Sequence, residues 1–538
     1  MNHMKSTTSI VGVVLLSSFF IFFPSCQTIA DPPFKNDAVA TAHPLATTAG
    51  EKMLAAGGNA FDAAVAAAFA LAVVEPSMSG LGGRLQALYR TAGGDVQGVD
   101  ATTVVPERYT PTKERYRYGY ETIGIPGVVA GLLQLHETGG ALPLETVMAP
   151  AIQYAHEGFS LLPGEAQRHA MVAEQLAEFE GTRQYFLTAD GTTLPAGTTL
   201  VQKDLARVLT RIAQEGRKGF YEGETAKKIV EDVQANGGIL TLNDLKNYTV
   251  NTSRIVQGKY KGYDIYGLYL PSFGAITIQM LQILDALTLD VASDSRWASE
   301  VGKSIATAYA YRQYQKDEDS LKEILSYQRA QQWAKDIIAP TKKVAFQKGP
   351  LPESWGIAQG HTTHLTVADS AGNVVSLTQT VGPIMGSKVV SPGLGFVYAV
   401  TLGGYLGNYQ PGDRAASHIS PVLFMKNNTP VLALGAAGGS RIPIAIAQVA
   451  QRYLEQNSSL DEALAAPRVY IDKDTLLLEK HEGINWFSTP DAFEGMALPY
   501  KWISGQGRFG RVHAVALDTL TKQWKGAADP DWEGTAID

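Results

Sequence analysis

Cysteine is almost missing from the sequence, which has one among 538 residues. A single thiol excludes an intrachain disulfide framework, a zinc site built from several cysteines and CxxC redox chemistry. Charged residues are also scarce, at 18% of the chain, and acidic ones outnumber basic ones, 52 to 45. Because a nucleic-acid partner normally requires a basic face, we expect no nucleic acid to bind.

Three common active-site motifs are absent as well: a GxSxG nucleophile elbow, a complete P-loop and an HExxH metal motif. We therefore expect neither a cofactor nor a resident metal. Apolar residues, in contrast, make up 45% of the chain, which is enough for a large buried core. The length suits three or four domains of about 150 residues each, or interleaved layers within one large domain.

The first 25 residues have the character of a signal peptide, with a basic residue followed by the apolar run 10–23. That run is too short to span a membrane, which takes about 20 residues. Cys26 follows it where a bacterial lipobox places the lipidated residue. We predict an exported lipoprotein, held by acyl chains on Cys26 at a periplasmic or outer-membrane surface. Ordinary cleavage nearby is the alternative, since Phe23 and Pro24 fit a strict lipobox poorly.

Helix and strand patterns alternate along the rest of the chain. Asn59 is a plausible N-cap for an alanine-rich helix that is apolar on nearly every side, and such a helix is expected between layers. The charged stretch 294–347 predicts a solvated helical lobe, and the Pro/Gly-rich stretch 348–361 predicts a linker. The predicted helices are 60–74, 128–137, 144–157, 203–236 and 442–455, and the predicted strands are 85–90, 363–368, 374–380, 421–425, 431–434, 476–479 and 512–517.

Two histidines at the end of this linker, His361 and His364, lie three residues apart. They flank a loop-to-strand junction rather than one face of a helix, and no third metal ligand is evident. A capping or hydrogen-bonding histidine is therefore favoured over a metal ligand.

The segment around these histidines predicts a β-hairpin with a Ser-Ala-Gly-Asn turn. We expect Asp369 to lie opposite Val374. In that register Thr363 faces Thr380, and Thr362 is one residue away. The hydroxyls of Thr362 and Thr380 are then able to be neighbours.

A threonine hydroxyl is a weak nucleophile. It is activated when the preceding peptide bond is cut, because the freed α-amino group then serves as its general base. The linker before Thr362 would expose such a bond. On these residues alone, the alternative is that the threonines are β-branched residues filling a strand.

Ordered segments along nearly the whole chain resemble the gamma-glutamyltranspeptidase family, whose members are N-terminal nucleophile hydrolases that are made as one chain and self-cleave before a Thr-Thr-His sequence. The matching segments are 57–64, 124–131, 150–152 with 157–159, 238–245, 360–369 with 374–380, 435–442 and 526–530.

The resemblance implies an α/β fold, a four-layer αββα sandwich of the N-terminal nucleophile hydrolase type. It also implies self-cleavage between His361 and Thr362. The large fragment would be 26–361 and the small fragment 362–538, associated with each other in one interleaved domain.

The resemblance assigns roles to matching residues. Thr362 would be the nucleophile, and Thr380 would hydrogen-bond its hydroxyl. Gly438 and Gly439 match the oxyanion hole, although a plain glycine turn before the following helix is the alternative. Ser417 matches the first of two substrate-contacting serines.

Other positions depart from the family. His418 replaces the second substrate-contacting serine. Thr102 stands where the family has the arginine that binds the substrate α-carboxylate, and Gly404 stands where it has the acid that binds the α-amino group. The neighbouring amide side chains of the family align with Thr401 and Gly382.

Arg84, within the glycine-rich turn, is a candidate replacement cation, but a solvated or structurally paired arginine is the favoured interpretation. Because a threonine hydroxyl does not replace a bidentate guanidinium contact, glutathione is a doubtful substrate.

The first hypothesis is thus a self-processing amide hydrolase or acyltransferase of the gamma-glutamyltranspeptidase type. Its threonine nucleophile attacks a γ-glutamyl or related acyl amide, and the acyl group is released to water or to an acceptor amine. A cephalosporin-acylase-like amidase is the enzymatic alternative. A self-cleaved but catalytically silent binding lipoprotein is the alternative from another class.

Overall fold

The computed structural model describes residue 1 and residues 33–111, 116–289, 294–339, 361–404, 409–456, 458–472, 474–480, 499–505, 507, 509–531 and 533–538. Cys26, the rest of the predicted signal peptide after its first residue, and linker residues 348–360 lie outside the described residues.

Eighteen strands are present in the described part of the chain. They are β1 (Ala38–Thr41), β2 (Arg84–Arg90), β3 (Val96–Ala101), β4 (Phe159–Ser160), β5 (Thr199–Leu200), β6 (Asn251–Thr252), β7 (Ile255–Tyr260), β8 (Tyr263–Leu268), β9 (His361–Ala368), β10 (Val374–Gly382), β11 (Val422–Lys426), β12 (Thr429–Ala437), β13 (Val469–Asp472), β14 (Thr475–Glu479), β15 (Tyr500–Ile503), β16 (Arg511–Asp518), β17 (Gln523–Ala528) and β18 (Thr535–Ile537).

Seventeen α-helices accompany them in the same described ranges. They are α1 (Pro44–Ala55), α2 (Ala60–Val74), α3 (Val128–Gly139), α4 (Leu144–Glu157), α5 (Pro163–Ala170), α6 (Ala173–Ala177), α7 (Glu180–Phe186), α8 (Lys203–Glu215), α9 (Lys218–Tyr221), α10 (Gly223–Ala235), α11 (Leu242–Asn247), α12 (Gly274–Ala286), α13 (Asp294–Ala310), α14 (Glu318–Ile324), α15 (Tyr327–Ile338), α16 (Ile442–Glu455) and α17 (Leu460–Ala465). None of these helices combines the length and apolar character needed to cross a membrane.

Two large sheets form the centre of the molecule. The first has seven strands in the order β18-β1-β9-β10-β2-β3-β6, and the second has six in the order β17-β16-β12-β11-β8-β7. Each sheet combines strands that precede residue 361 with strands that follow residue 362. The chain segments on either side of the predicted cleavage point are therefore interleaved in both sheets.

Three apolar cores define four layers. Leu88, Leu423 and Trp524 belong to a core between the two sheets. Helices α1 to α4 cover the outer face of the seven-stranded sheet, and α12, α13, α15 and α16 cover the six-stranded sheet. The predicted αββα sandwich is confirmed.

Local sequence signals explain where several helices begin and end. Asn59 caps α2 as predicted, with Asp62 completing a capping box, and all fifteen residues of α2 are buried. The single helix predicted over 203–236 is wrong, since it is divided into α8, α9 and α10 at Gly216 and Gly223, which have φ angles of 58° and 64°.

The charged stretch from 294 is helical, as predicted, but it is not wholly solvated. Trp297, Val301 and Trp333 bury their side chains in the core beneath the six-stranded sheet. Helices α13 and α15 thus form part of the outer layer on that side.

The predicted register of the β9–β10 hairpin is wrong by one residue. Val374 pairs with Ala368 rather than with Asp369. The Asp369 carboxylate instead accepts hydrogen bonds from the backbone and side-chain amides of Asn373 across a longer loop. At the other end the register shifts between Gln379 and Gly382, where the strand pair has a bulge.

Candidate active site

The bulge at the end of β10 brings the two predicted threonines together. Thr362 is the second residue of β9, and its hydroxyl donates a hydrogen bond to the hydroxyl of Thr380 at 3.2 Å. Both residues are buried. The hydroxyls are neighbours as expected, although the pairing that produces this contact differs from the predicted one.

Thr380 also contacts the peptide bond at which cleavage is predicted. Its hydroxyl donates to the carbonyl oxygen of His361 at 2.6 Å and accepts from the backbone N–H of Gly382 at 2.9 Å. A hydroxyl has one proton to donate. Because that proton is directed at His361, Thr380 accepts the hydrogen bond from Thr362, and the three groups form one relay.

His364 lies two residues further along the same face of β9. Its Nδ1 bonds the hydroxyl of Thr378 and its Nε2 that of Thr366, each at 2.8 Å. Burial lowers the pKa of His364 to about 3, so the ring is neutral. Within the described ranges, no three His, Cys, Asp or Glu side chains converge as a metal site would require. A hydrogen-bonding histidine is what the structure contains here.

The second sheet approaches the first at this ring. A Cβ built on Gly435 of β12 would lie 2.3 Å from Cε1 of His364. One residue earlier, the carbonyl of Leu434 accepts a hydrogen bond from Ser376. Ser376 pairs with Thr366, and His364 lies two residues nearer to Thr362 on the same strand. From Leu434 to Gly435, β12 therefore runs toward the end of the first sheet that carries Thr362.

Gly438 and Gly439 follow β12 at that end. Their φ angles are 142° and 58°, and a Cβ on Gly438 would lie 2.9 Å from Cα of Gly510. Both φ angles favour glycine, and at Gly438 the lack of space favours it as well. The turn leads into α16, and the charge of Arg441 within it is one of those that lower the pKa of His361.

Ser417 and His418 lie on the loop before β11. The backbone N–H of Ser417 donates to the carbonyl of Pro271 at 2.9 Å. The ring of His418 lies 4.5 Å from that of Phe273 and 6.5 Å from that of Tyr309. Burial, reinforced by Arg312, lowers the pKa of His418 to about 3.

Tyr309 links this loop to the glycine turn. Its hydroxyl donates to the carbonyl oxygen of Ser440, the residue after Gly439. The positions predicted from substrate-contacting serines and from the oxyanion hole are therefore connected through one aromatic side chain.

Thr102 and Gly404 bring no charge to the site. Thr102 is fully buried, and its backbone N–H and its hydroxyl both donate to Oδ1 of Asp100, at 3.0 and 2.7 Å. Gly404 has a φ angle of 80°. The aligned Thr401 donates its hydroxyl proton to Thr103 at 2.9 Å. Thr102 and Thr401 are thus uncharged side chains engaged in internal hydrogen bonds, and Gly404 has no side chain, at the positions that align with the amino-acid clamp of the family.

The sequence did not draw attention to a buried ionic network beside the start of β9. Arg168 donates to Glu165 at 2.6 Å and to Glu75 at 3.3 Å. Arg511 lies 3.8 Å from Glu75. Burial, opposed by the two arginines, raises the pKa of Glu75 to about 7. The one available signal in the sequence was a glutamate, Glu75, directly after a helix that is apolar on nearly every side.

Lys388 is a further cation that the sequence did not single out. Its ammonium group is buried and donates to the carbonyls of Ile384 and Gly386. Burial lowers the pKa of Lys388 to about 7. Burial first, and then the charges of Arg168 and Lys388, hold the pKa of His361 well below its usual value.

Comparison with known proteins agrees with this architecture. The family model described as gamma-glutamyltranspeptidase matches residues 46–538. A glutathione hydrolase proenzyme of Bacillus subtilis (strain 168) is 30% identical over 94% of this chain and 91% of its own length. An acylase ACY 1 proenzyme of Pseudomonas sp. (strain SE83) is 32% identical over 93% of both chains.

The fold of this chain is also similar to that of a solved structure. The crystal structure of cephalosporin acylase from Bacillus halodurans matches with a TM-score of 0.81 and 25% identity, covering 97% of this chain and 99% of that one. Sequence and fold therefore agree over almost the whole length, and the chain belongs to the gamma-glutamyltranspeptidase family.

Proposed function

We propose that this protein is a self-processing amide hydrolase or acyltransferase in which Thr362 is both the site of self-cleavage and the nucleophile. The observation that carries the proposal is the relay from the Thr362 hydroxyl through Thr380 to the carbonyl oxygen of His361. Membership of a family whose relatives are named proenzymes supports cleavage into fragments.

Self-cleavage begins when the Thr362 oxygen attacks the carbonyl carbon of His361. Negative charge develops on the carbonyl oxygen, to which the Thr380 hydroxyl already donates. The peptide C–N bond then breaks, and its nitrogen takes up the proton that the Thr362 hydroxyl lost on attack and becomes the amine of Thr362. Water hydrolyses the resulting ester, leaving a carboxylate on His361 and a free hydroxyl on Thr362.

The freed amine is the general base of the catalytic cycle. It accepts the proton of the Thr362 hydroxyl as the oxygen attacks a substrate amide. The backbone N–H groups of Gly438 and Gly439 stabilise the tetrahedral oxyanion, and each such donor typically contributes about 2.7 to 4 kcal/mol. The amide nitrogen leaves as an amine, and the acyl group on Thr362 passes to water or to an acceptor amine.

The substrate is an amide whose acyl group differs from an unmodified γ-glutamyl group. Thr102 and Gly404 supply neither the cation nor the acid that an α-carboxylate and an α-amino group would need. Ser417 and His418 are proposed to contact the substrate from the loop before β11. Similar proteins are named both as a glutathione hydrolase and as an acylase, so their names do not decide between the two kinds of acyl group.

Export and lipid anchoring are part of the same proposal. The N-terminal apolar run and Cys26 support them. Cys26→Ser should move the protein from the detergent phase to the aqueous phase in a partitioning experiment. Unchanged partitioning would refute the anchor and leave the proposed chemistry untouched.

Gel electrophoresis of the purified protein tests self-processing. Wild type should give two fragments, Thr362→Ala one full-length band, and Thr362→Ser two fragments because it retains a hydroxyl. A single band for wild type would refute processing. Mass spectrometry of the small fragment then separates enzyme from silent binder, because only an enzyme forms an acyl adduct on Thr362 with γ-glutamyl, β-lactam side-chain or aliphatic amides.

A further inference from the structure

An arginine lies on the strand next to Thr380. Strand β10 pairs with β2 in an unbroken antiparallel register in which Thr380 and Arg84 are opposite each other. Residues opposite each other in such a pair project to the same face, with Cβ atoms about 5 Å apart. Arg84 therefore shares the face of Thr380, which is the face that carries the hydroxyl relay.

On the other side of β2, the neighbouring strand β3 leads to Thr102, the position where the family has its carboxylate-binding arginine. Leu85 of β2 pairs with Ala101, the last residue of β3, and Thr102 follows it. Arg84 thus stands on the strand between Thr380 and the segment of Thr102. The Arg84 guanidinium is thus carried by β2, which is one strand nearer to Thr362 on β9 than β3 is.

The Arg84 guanidinium is buried among the segments proposed to contact substrate. Its Nη2 donates to the carbonyl of Val400 at 2.6 Å. Burial raises the pKa of Tyr409, and the charge of Arg84 acts against that shift. The Tyr409 hydroxyl in turn accepts from the backbone N–H of Ala416 at 3.0 Å, the residue before Ser417.

Gln86 is a second polar group on this face. It pairs with Thr378 and is fully buried, and its side-chain oxygen and nitrogen have no hydrogen-bond partner among the described residues. A buried amide without partners is destabilising unless a ligand or water satisfies it. Gln86 is therefore an observation, independent of Arg84, that points to a polar ligand between the sheets.

We propose that Arg84 binds a carboxylate on the acyl group of the substrate, with Gln86 donating a neutral hydrogen bond beside it. This inference rests on the proposed amide chemistry of Thr362. Since Gly404 offers no acid for an α-amino group, the preferred substrate is a monoamide of a dicarboxylic acid that lacks that amine. The acyl transfer itself is unchanged, and Arg84 acts on specificity.

Three p-nitroanilides test the proposal on the processed protein. Glutaryl-p-nitroanilide carries the carboxylate without the amine, γ-glutamyl-p-nitroanilide carries both, and pentanoyl-p-nitroanilide carries neither. We expect wild type to prefer the glutaryl probe over the pentanoyl probe by about 100-fold in kcat/KM, because only the glutaryl probe can form a charge-assisted contact with the Arg84 guanidinium. A preference for the γ-glutamyl or the pentanoyl probe would overturn the proposal.

Arg84→Met and Arg84→Lys separate charge from shape. Arg84→Met should lower kcat/KM for the glutaryl probe by about 100-fold, mainly through KM, and leave the pentanoyl value within threefold. Arg84→Lys should retain part of the glutaryl activity, and it replaces the Met variant if that variant does not fold. Arg90→Met, on the same strand but paired with Val374 at its far end, is the matched control and should keep the wild-type preference.

Two further readouts separate this inference from the proposed function. Self-cleavage should occur in all Arg84 variants, because the relay does not include Arg84. Calorimetry with glutarate should show binding to wild type and none to Arg84→Met, even if no probe is turned over. Turnover without an Arg84 effect would overturn the inference alone, and glutarate binding without turnover would overturn the proposed function alone. Equal losses for the glutaryl and pentanoyl probes would also overturn the inference.

Discussion

The two sides of the seven-stranded sheet differ in chemical character where β9 begins. On the inner side, toward the second sheet, the groups on β9 and β10 are uncharged: Thr362, Thr380, Thr378 and the neutral His364. The Arg84 guanidinium lies on this side too, but on the next strand, β2. The other side has the buried charges of Glu75, Glu165 and Arg168, and Thr363 lies beside Glu75. Adjacent residues of one strand thus face a neutral relay and an ionic network.

We interpret the inner side as the one that carries the reactive groups, and the ionic side as the one that holds the backbone in place. In the relay the Thr362 hydroxyl donates its proton to a neutral hydrogen bond with Thr380. In the proposed catalytic cycle, after self-cleavage, the freed amine accepts that proton. The ionic network joins the end of α2 to α5 and to the first residue of β16. Glu165 also accepts a hydrogen bond from the backbone N–H of Ser77, in the segment that precedes β2. Chemistry on one side therefore relies on rigidity from the other, and four experiments test the division.

The largest expected effect is on the charged side. Arg168→Met leaves the carboxylates of Glu75 and Glu165 buried without their shared guanidinium, and we expect the free energy of unfolding to fall by about 3 to 5 kcal/mol. Urea denaturation of the processed protein measures it. The control is Arg207→Met, whose ion pair with Asp204 is on the surface and should change stability by less than about 1 kcal/mol. Similar losses in both variants would refute the network's role.

The next effect is on the neutral side. Thr380→Val keeps the shape of the side chain and removes the hydroxyl from the relay. We expect self-cleavage to slow by about 100-fold, or about 2.7 kcal/mol in the barrier, with a change in stability of about 1 kcal/mol. Gel densitometry over time gives the rate. Thr378→Val, one pair along the same face, should cleave normally, and equal slowing would show that the effect is not specific to the relay.

A smaller effect tests the contact between the sheets. Gly435→Ala places a methyl group against the His364 ring, and we expect about 1 to 3 kcal/mol of destabilisation from overpacking. The same substitution in a His364→Ala background should be nearly neutral, because the ring is gone. Thermal unfolding of the four proteins measures the coupling. An equal loss in both backgrounds would contradict the contact.

The smallest effect is a pH dependence of opposite sign on the two sides. His364 has a folded pKa of about 3 against an ordinary value near 6.5, so below pH 6.5 the unfolded chain binds a proton that the folded chain does not. Stability from His364 therefore falls on acidification, by about 1.4 kcal/mol per pH unit at most. Glu75, with a folded pKa of about 7, binds its proton more tightly when folded, and its contribution rises as pH falls from 7 to about 4.5.

Two variants separate these contributions. Between pH 4.5 and 6, His364→Ala should weaken the loss of stability on acidification, and Glu75→Gln should steepen it. Denaturant midpoints at several pH values measure both. Slopes that change in the same direction would contradict the assignment of the two groups to opposite protonation states.

Much of the fold was predictable from local patterns. Helices α2, α4 and α16 begin and end as expected. Apolar periodicity, and for α2 the Asn59 cap, act between residues that are close together in the chain. The hydroxyl pair of Thr362 and Thr380 was also predictable, since a hairpin joins them. The register was not, because neither the longer loop at Asp369 nor the bulge before Gly382 leaves a clear mark in the sequence.

The sequence by itself determined the layered architecture, the family and the identity of the candidate nucleophile. Only the tertiary structure decided that Arg84 faces Thr380 across β2 and β10, and that Glu75 and Arg168 share a buried network. The physical reason is distance along the chain. Periodicity and capping report on neighbours in sequence, whereas sheet order and packing bring together side chains hundreds of residues apart, and their charges have meaning only once burial and partners are known.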